Sequence, residues 1–428
     1  MFSLLRQRNF GLLWFGGLIS YIGDWALLTA LPVYVFTITQ SVLATGLMFA
    51  ISMVPSVLLG SVAGVFVDRW DRKVTMVVTN LVRAPLWFML IFVDSVERLW
   101  IVYLVAFLSR CIAQFGGPAE DALLPKLVDE EHLLKANGLN ALNNNLARLI
   151  GPALGGIVFG AMGFGMVVTL EAASFLIAGV MIALINAPSN VTRATHDDEH
   201  EGGEARSRSV FGEWKDGIGM VRRNRIVAAL FILLGFNAVA EGILAVMIVI
   251  YVQAVLGGGA LEFGWFLMAQ AIGGLLGGLF VGHLSKKVQP RHLVGPGFLL
   301  LGVIDLLIFN IPNILVGLVL MAVVGLPVVA LQAGVMTLFQ TNVPDRYRGR
   351  VLGAYGTTYS ILLLISTLFT SFFGSAIGVV LMLSIAGALD ALAGVAALRL
   401  LPIVTSERES VSQPGARTVG LAGNTTSD

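Results

Sequence analysis

Residues 10–37 read FGLLWFGGLISYIGDWALLTALPVYVFT, a run of apolar and small residues with one formal charge, Asp24, set inside it. A hydrocarbon core of about 30 Å is crossed by roughly 20 apolar residues in helical form. The run is long enough to span a bilayer and too apolar to coat a water-facing helix. Asp24 lies about 21 Å along the helix from Phe10 at 1.5 Å per residue, near mid-membrane, and an acid at that depth marks a functional position by default. Arg6 and Arg8 precede the run as they would in a signal peptide. The run is too long for one, however, and lacks a small-residue cleavage site, so it reads as a retained helix.

Working outward, similar runs recur at about 43–67, 74–93, 98–118, 139–163 and 165–187, then at 226–255, 260–284, 291–310, 313–336, 350–374 and 376–401. These predict twelve spans, six on each side of a polar break. Over the 428 residues, 57% are apolar and only 12% charged, against about 25% charged in soluble domains. A mean hydropathy of +0.86 excludes a single water-soluble fold. The 49 glycines suit close helix packing in lipid. A net charge of +1 offers no field for nucleic acid, and Cys111, the sole cysteine, excludes an intrachain disulfide and a cysteine metal cluster. The predicted fold class is an all-α polytopic membrane protein.

Basic residues predict the orientation. With the N-terminus in the cytoplasm, only Arg98 of the 27 Lys and Arg falls in an outside loop. Arg83, Arg110 and Arg148 fall within spans, and the other 23 lie in cytoplasmic segments or at helix ends. Both termini are therefore expected in the cytoplasm of a multi-pass cell-membrane protein. Four regions follow: a six-helix bundle over 1–187, a cytoplasmic linker over 188–225, a second six-helix bundle over 226–402 and a disordered tail over 403–428. The linker carries Asp197, Asp198, Glu199, Glu201 and Glu204, the composition of a solvated chain. Phe211, Trp214, Ile218 and Val221 recur beside Lys215, Arg222, Arg223 and Arg225, a pattern that predicts an interfacial amphipathic helix.

The two halves repeat. Asp24, Tyr34 and Val35 correspond to Glu241, Tyr251 and Val252 at an offset of 217, Gly64, Arg72 and Lys73 to Gly278, Lys286 and Lys287 at 214, and Glu171 to Asp390 at 219. Duplicated six-helix halves with a site between them are a common carrier plan.

After the second span comes Gly64-Val-Phe-Val-Asp68-Arg69-Trp-Asp71-Arg72-Lys73. This G-x-x-x-D-R-x-x-R-K spacing resembles the signature loop of the major facilitator superfamily, although Asp71 stands where a second glycine is usual. The resemblance implies two pseudo-symmetric six-helix bundles and a gating latch at Gly64, Asp68, Arg69, Arg72 and Lys73, with Asp68 set against a helix N-terminus near Gly349. The second-half copy has Gly282 in place of the acid, so such a latch is one-sided. The fifth span contains Gly138-x8-Ala147-x3-Gly151-Pro152-Ala-Leu-Gly155-Gly156. Gly151-Pro152 removes a backbone donor and predicts a bend, while Gly155 and Gly156 permit close approach of a neighbour. The whole spacing resembles the pattern of the superfamily's drug:proton antiporters, which implies efflux. Arg110-Cys-Ile-Ala-Gln114-Phe-Gly116 in the fourth span matches a further antiporter pattern at the arginine and approximately beyond it. Leu124-Pro-Lys-Leu-Val-Asp129-Glu-Glu131 and Val343-Pro-Asp345-Arg-Tyr-Arg-Gly349-Arg350 resemble loops of the macrolide-efflux-like branch.

An ion-driven carrier needs an ionisable group whose surroundings change as access switches sides. The resemblance implies that spans one, four, seven and ten line a central cavity, which selects Asp24, Glu241 and Arg110 as the proton-coupling or substrate residues. It leaves Glu171, Asp305 and Asp390 as structural acids or acids near lipid. Trp25, Tyr34, Gln114, Asn237, Tyr251 and Gln332 are the expected cavity-lining residues. Two midplane acids favour cationic or weakly basic amphipathic cargo. No Walker loop, zincin motif or nucleophile elbow occurs in the sequence. The reading is a non-enzymatic, proton-coupled antiporter, expected to be a monomer in the lipid bilayer with a small-molecule substrate and no cofactor, metal or nucleic-acid partner. Its function would be multidrug efflux contributing to antibiotic resistance. A dedicated exporter or importer of one metabolite such as a siderophore, and a non-pumping sensor or lipid-moving scaffold, remain open.

Overall fold

The computed structural model describes residues 2–67, 69–186, 219, 224–284 and 289–401, with side chains at all of these except 2, 60–65, 284 and 346. Asp68, Lys286 and Lys287, nearly all of the linker with its expected interfacial helix, and the tail lie outside the described residues.

Twelve helices are long and apolar enough to cross a membrane among the described residues. The first bundle holds α1 (Arg8–Thr39), α2 (Val42–Val67), α3 (Arg72–Phe88), α4 (Leu99–Leu123), α5 (Leu133–Met162) and α6 (Phe164–Ala183). The second holds α7 (Arg225–Ile250), α8 (Ala260–Leu284), α9 (Arg291–Asn310), α10 (Ile314–Asn342), α11 (Asp345–Ile377) and α12 (Val379–Leu400).

Local chemistry sets the ends. Helix α1 closes where Gln40 takes a left-handed conformation (φ 48°) and donates its N–H to the Phe36 carbonyl. Asp71, the residue departing from the usual glycine, accepts a 2.9 Å hydrogen bond from the Val74 N–H. It thereby caps α3 in the way Asp caps helix N-termini generally. Asn224 and Asn313 cap α7 and α10 in the same manner. The α5–α6 and α11–α12 joints each turn on one glycine, Gly163 at φ +81° and Gly378 at φ +94°. Residues with a Cβ avoid that backbone region, and the two glycines occupy matching places in the two halves.

The duplication extends to packing. In the first bundle α1 packs on α5 and α6, α2 on α4, and α3 on α4 and α6. In the second, α7 packs on α11 and α12, α8 on α10, and α9 on α10 and α12. Between the bundles α5 meets α8 and α2 meets α11, a reciprocal exchange of equivalent helices. Many large apolar side chains stay exposed, including Leu276, Leu279, Phe280, Leu315 and Phe372, as a lipid-facing exterior requires.

Helix α5 runs unbroken through Pro152. Its glycines are used in two directions. A Cβ on Gly155 would overlap the Ala26 backbone of α1, and one on Gly156 would meet the Ala260 carbonyl of α8 at 2.5 Å. Small residues here let three helices approach backbone to backbone.

The hydrogen bonds identified between the bundles lie away from the chain-terminus end. Gln253 on the α7–α8 connection bonds the Val33 carbonyl (3.1 Å) and Thr37 (3.2 Å) near the far end of α1, and Arg148 on α5 reaches Gln270 on α8 at 3.3 Å. The far ends of α2 and α11 close where Gly46 faces Ser371 and Gly374 faces Val42.

Candidate functional site

Asp24 stands in the interior of α1, where its Oδ1 accepts a 2.8 Å charge-assisted bond from Nη2 of Arg83 on α3. The Arg83 side chain is 14% exposed and that of Asp24 is 33% exposed, so one partner is nearly enclosed and the other reaches open space. Arg83 is held from three sides: its Nε donates to Ser109 Oγ on α4 at 3.1 Å, and its guanidinium lies 4.0 Å over the Phe175 ring of α6. Such fixation suits arginine, whose planar fork loses little freedom when clamped.

Glu171 of α6 completes the cluster. It is buried, within hydrogen-bonding reach of Asp24 and in the field of Arg83. Ser174 donates to the Glu171 main-chain carbonyl at 2.8 Å, and Glu171 Oε1 has no partner. Gly23 allows this approach, since a Cβ there would collide with the Glu171 carboxylate. Two acids and one arginine from three helices thus share one enclosed site. The sequence reading selected Asp24 but assigned Arg110 as its cation and set Glu171 aside as peripheral or near lipid. Packing of α1 on α6, with α3 on both α4 and α6, brings Arg83 and Glu171 there instead.

A void of about 350 Å³ opens beside the cluster, lined wholly by residues of α1–α4. Asp24, Arg83 and Arg110 supply its charges, and Tyr21, Trp25 and Trp87 supply aromatic surface. Arg110 is exposed into this space. Below it, Tyr21 donates a 2.6 Å hydrogen bond to Oε2 of the buried Glu120 on α4, a contact with no sequence signal.

In the second bundle Glu241 is exposed on α7 but is not among the residues lining this void. Arg148 of the first bundle acts on it electrostatically; the same arginine lies 5.7 Å from the Trp25 ring centre. Asp390 accepts a 3.1 Å bond from Asn237. Asp390 is 0% and Asp305 3% exposed, so neither sits near lipid. Each keeps one carboxylate oxygen without a partner.

Of the expected cavity residues, Trp25 lines the void. Tyr34 does not: its hydroxyl bonds the Val93 carbonyl and its ring stacks on Phe164 at 4.0 Å. Tyr251 is buried with its hydroxyl on the Ile308 carbonyl at 2.8 Å. Both are packing residues because each phenol finds an acceptor inside its own bundle. Gln114 bonds Ser56 across α4 and α2 at 3.2 Å, Asn237 is taken by Asp390, and Gln332 is exposed on α10. In the expected latch, Arg72 donates to the Ala122 carbonyl at 3.5 Å, Arg69 is exposed and Lys73 is half-buried. No cluster of three metal-ligating side chains occurs among the described residues.

Two duplicated bundles of membrane-length helices, enclosing charges beside a void, define a polytopic membrane carrier for small molecules. The sequence profile of the Major Facilitator Superfamily matches residues 13–367 and, in a second match, 230–423; the chain belongs to that superfamily. Macrolide efflux protein A of Streptococcus pyogenes is 24% identical over 386 residues, covering 87% of this chain and 91% of that protein. Multidrug efflux pump Tap of Mycobacterium bovis (strain BCG / Pasteur 1173P2) is 28% identical over 365 residues, covering 82% and 84%. Among solved structures, a bacterial homologue of the iron transporter ferroportin in an inward-facing state superposes with a TM-score of 0.69 at 18% identity, over 92% of this chain and 98% of that one. A bacterial homologue of the lysosomal transporter Spinster gives 0.69 at 14% identity, over 92% and 97%. These structural likenesses concern the fold.

Proposed function

We propose that the protein is a proton-coupled exporter of amphipathic compounds, antibiotics among them, working by alternating access. The observation that carries this reading is the enclosed Asp24–Arg83–Glu171 cluster opening on one side to the void. Protonation of Asp24 weakens its hold on Arg83, and Arg83 then turns to Glu171 or to solvent. Proton binding thereby alters the wall that cargo touches, the minimum required of a coupled carrier. The efflux relatives and the fifth-span glycine pattern support the outward direction.

With basic residues cytoplasmic, the far ends where Thr37 meets Gln253 lie outside, and the bundles are fastened there. The arrangement then corresponds to a carrier closed to the exterior. Opening requires the Arg148–Gln270 contact and the α2–α11 closure to part. Arg69, Arg72 and Lys73 would latch the cytoplasmic side together with Asp68, and the protein would act as a monomer.

Full-length protein in proteoliposomes with an imposed pH gradient tests the coupling. Two fluorescent amphiphiles of opposite charge, pyrenebutyrate and Hoechst 33342, serve as cargo. Gradient-driven flux of at least one is expected, with a drop of about tenfold or more in Asp24→Asn, as general for loss of a proton-transfer group. Flux indifferent to the gradient, or unchanged in that variant, overturns the coupling.

A further inference from the structure

The void beside Asp24 has a charge pattern opposite to the one the buried acids suggest. Its single acid is already matched by Arg83 at 2.8 Å. The other accessible acid of the core, Glu241, lies in the field of Arg148 and outside this void. Asp305, Asp390 and Glu171 are buried and line no part of it. Arg110 remains: it is exposed into the void and has no hydrogen-bond or ion-pair partner among the described residues. A guanidinium held in a membrane interior is costly unless a partner or water meets it, and its fork geometry matches a carboxylate through two parallel bonds.

A second observation comes from the facing helix. Trp87 on α3 lines the same void, is 9% exposed, and its Nε1–H finds no acceptor. Buried donors in folded proteins are satisfied as a rule, and an exception calls for a missing partner. The void therefore offers one unpaired cation on α4, while the Trp87 ring on α3 borders it with its N–H covered. Trp25, Leu28, Leu31 and Phe49 close its apolar walls. Arg110 calls for an acceptor, whereas the acid that reaches the void already has its cation in Arg83.

We propose that this void is a binding site for an organic anion: an amphipathic molecule whose carboxylate pairs with Arg110 and whose apolar body lies against Trp25, the Trp87 ring and the aliphatic wall. A body of two to four fused rings fits about 350 Å³. The proposal takes from the preceding function only that cargo enters this void. It reverses the preference for basic cargo that two midplane acids suggested, because pairing neutralises an acid as a recognition element.

The test is equilibrium binding to the full-length protein in detergent, without any gradient, read by energy transfer from tryptophan to pyrene. Three probes share one ring system: 4-(1-pyrenyl)butyrate, its methyl ester and 4-(1-pyrenyl)butylamine. The carboxylate is expected to bind at least tenfold more tightly than the amine, with the ester between them. Arg110→Gln should weaken carboxylate binding at least tenfold and abolish that order, while Arg110→Lys keeps the order at reduced affinity. Trp87→Phe, which keeps an aromatic wall, should leave the order of the three probes unchanged, judged by Kd rather than signal amplitude. Equal or tighter binding of the amine, or an unchanged order in Arg110→Gln with Arg110→Lys folded, overturns the proposal. Because no gradient is present, that failure leaves proton coupling standing, and a failed flux assay leaves the binding order intact.

Discussion

The two bundles share a packing plan but differ in how they hold charge. In the first, Asp24, Arg83 and Glu171 from α1, α3 and α6 carry their own cation, and the pair faces a void. In the second, Glu241, Asp305 and Asp390 come from the equivalent helices α7, α9 and α12. Among the described residues no arginine of that bundle acts on them. The positive charge acting on Glu241 is Arg148, which belongs to α5 across the interface. Duplication preserved helix contacts because backbone packing tolerates few changes. The first bundle is thus electrostatically self-contained, whereas the second depends on a contact between the bundles, one that the proposed alternating access has to alter.

The contrast is broken most directly by Arg83→Ala. That change leaves Asp24 and the buried Glu171 without their cation, and breaking a fully buried pair costs about 3–5 kcal/mol. Since Asp24 is a third exposed, a loss of about 2–3 kcal/mol is expected, measured as a lowered thermal midpoint in detergent. The double variant Arg83→Gln with Asp24→Asn should recover much of it. A single variant as stable as wild type would mean that the first bundle is not held by its own pair.

The shared part of the plan is tested at the hinges. Gly163→Ala and Gly378→Ala each force a Cβ into a positive-φ conformation and should each cost about 1–3 kcal/mol. The two losses should agree to within about 0.5 kcal/mol, since both sites face open space. A large inequality would show that the halves differ in backbone as well as in charge.

The smallest effect is expected from Asp390→Asn. It keeps the oxygen that accepts from Asn237 and replaces one of three neighbouring carboxyl groups with an amide. Stability should change by less than about 1 kcal/mol or rise, since a buried carboxyl with no counter-charge is costly to keep and its amide isostere preserves the shape. Glu171→Gln, at the equivalent position beside Arg83, should cost more than Asp390→Asn in the same thermal measurement. The reverse order would mean that the acids of the second bundle have a counter-charge after all.

The sequence by itself determined the twelve spans, the duplication and the place of Asp24 in the middle of the first helix. Each depends on hydropathy, on length or on an offset repeated along the chain, and these are properties of single helices. The cap that Asp71 makes on α3 is equally local, although the sequence reading took Asp71 only as a departure from the usual glycine. Tertiary structure alone decided which arginine meets Asp24, that Asp305 and Asp390 are enclosed, and that Tyr34 and Tyr251 pack while Arg110 stands free. Those outcomes depend on the rotation of each helix about its axis and on its neighbours. A turn of about 100° per residue moves a side chain from the cavity to the core with no change in hydropathy, so periodicity along an apolar span cannot assign its partner.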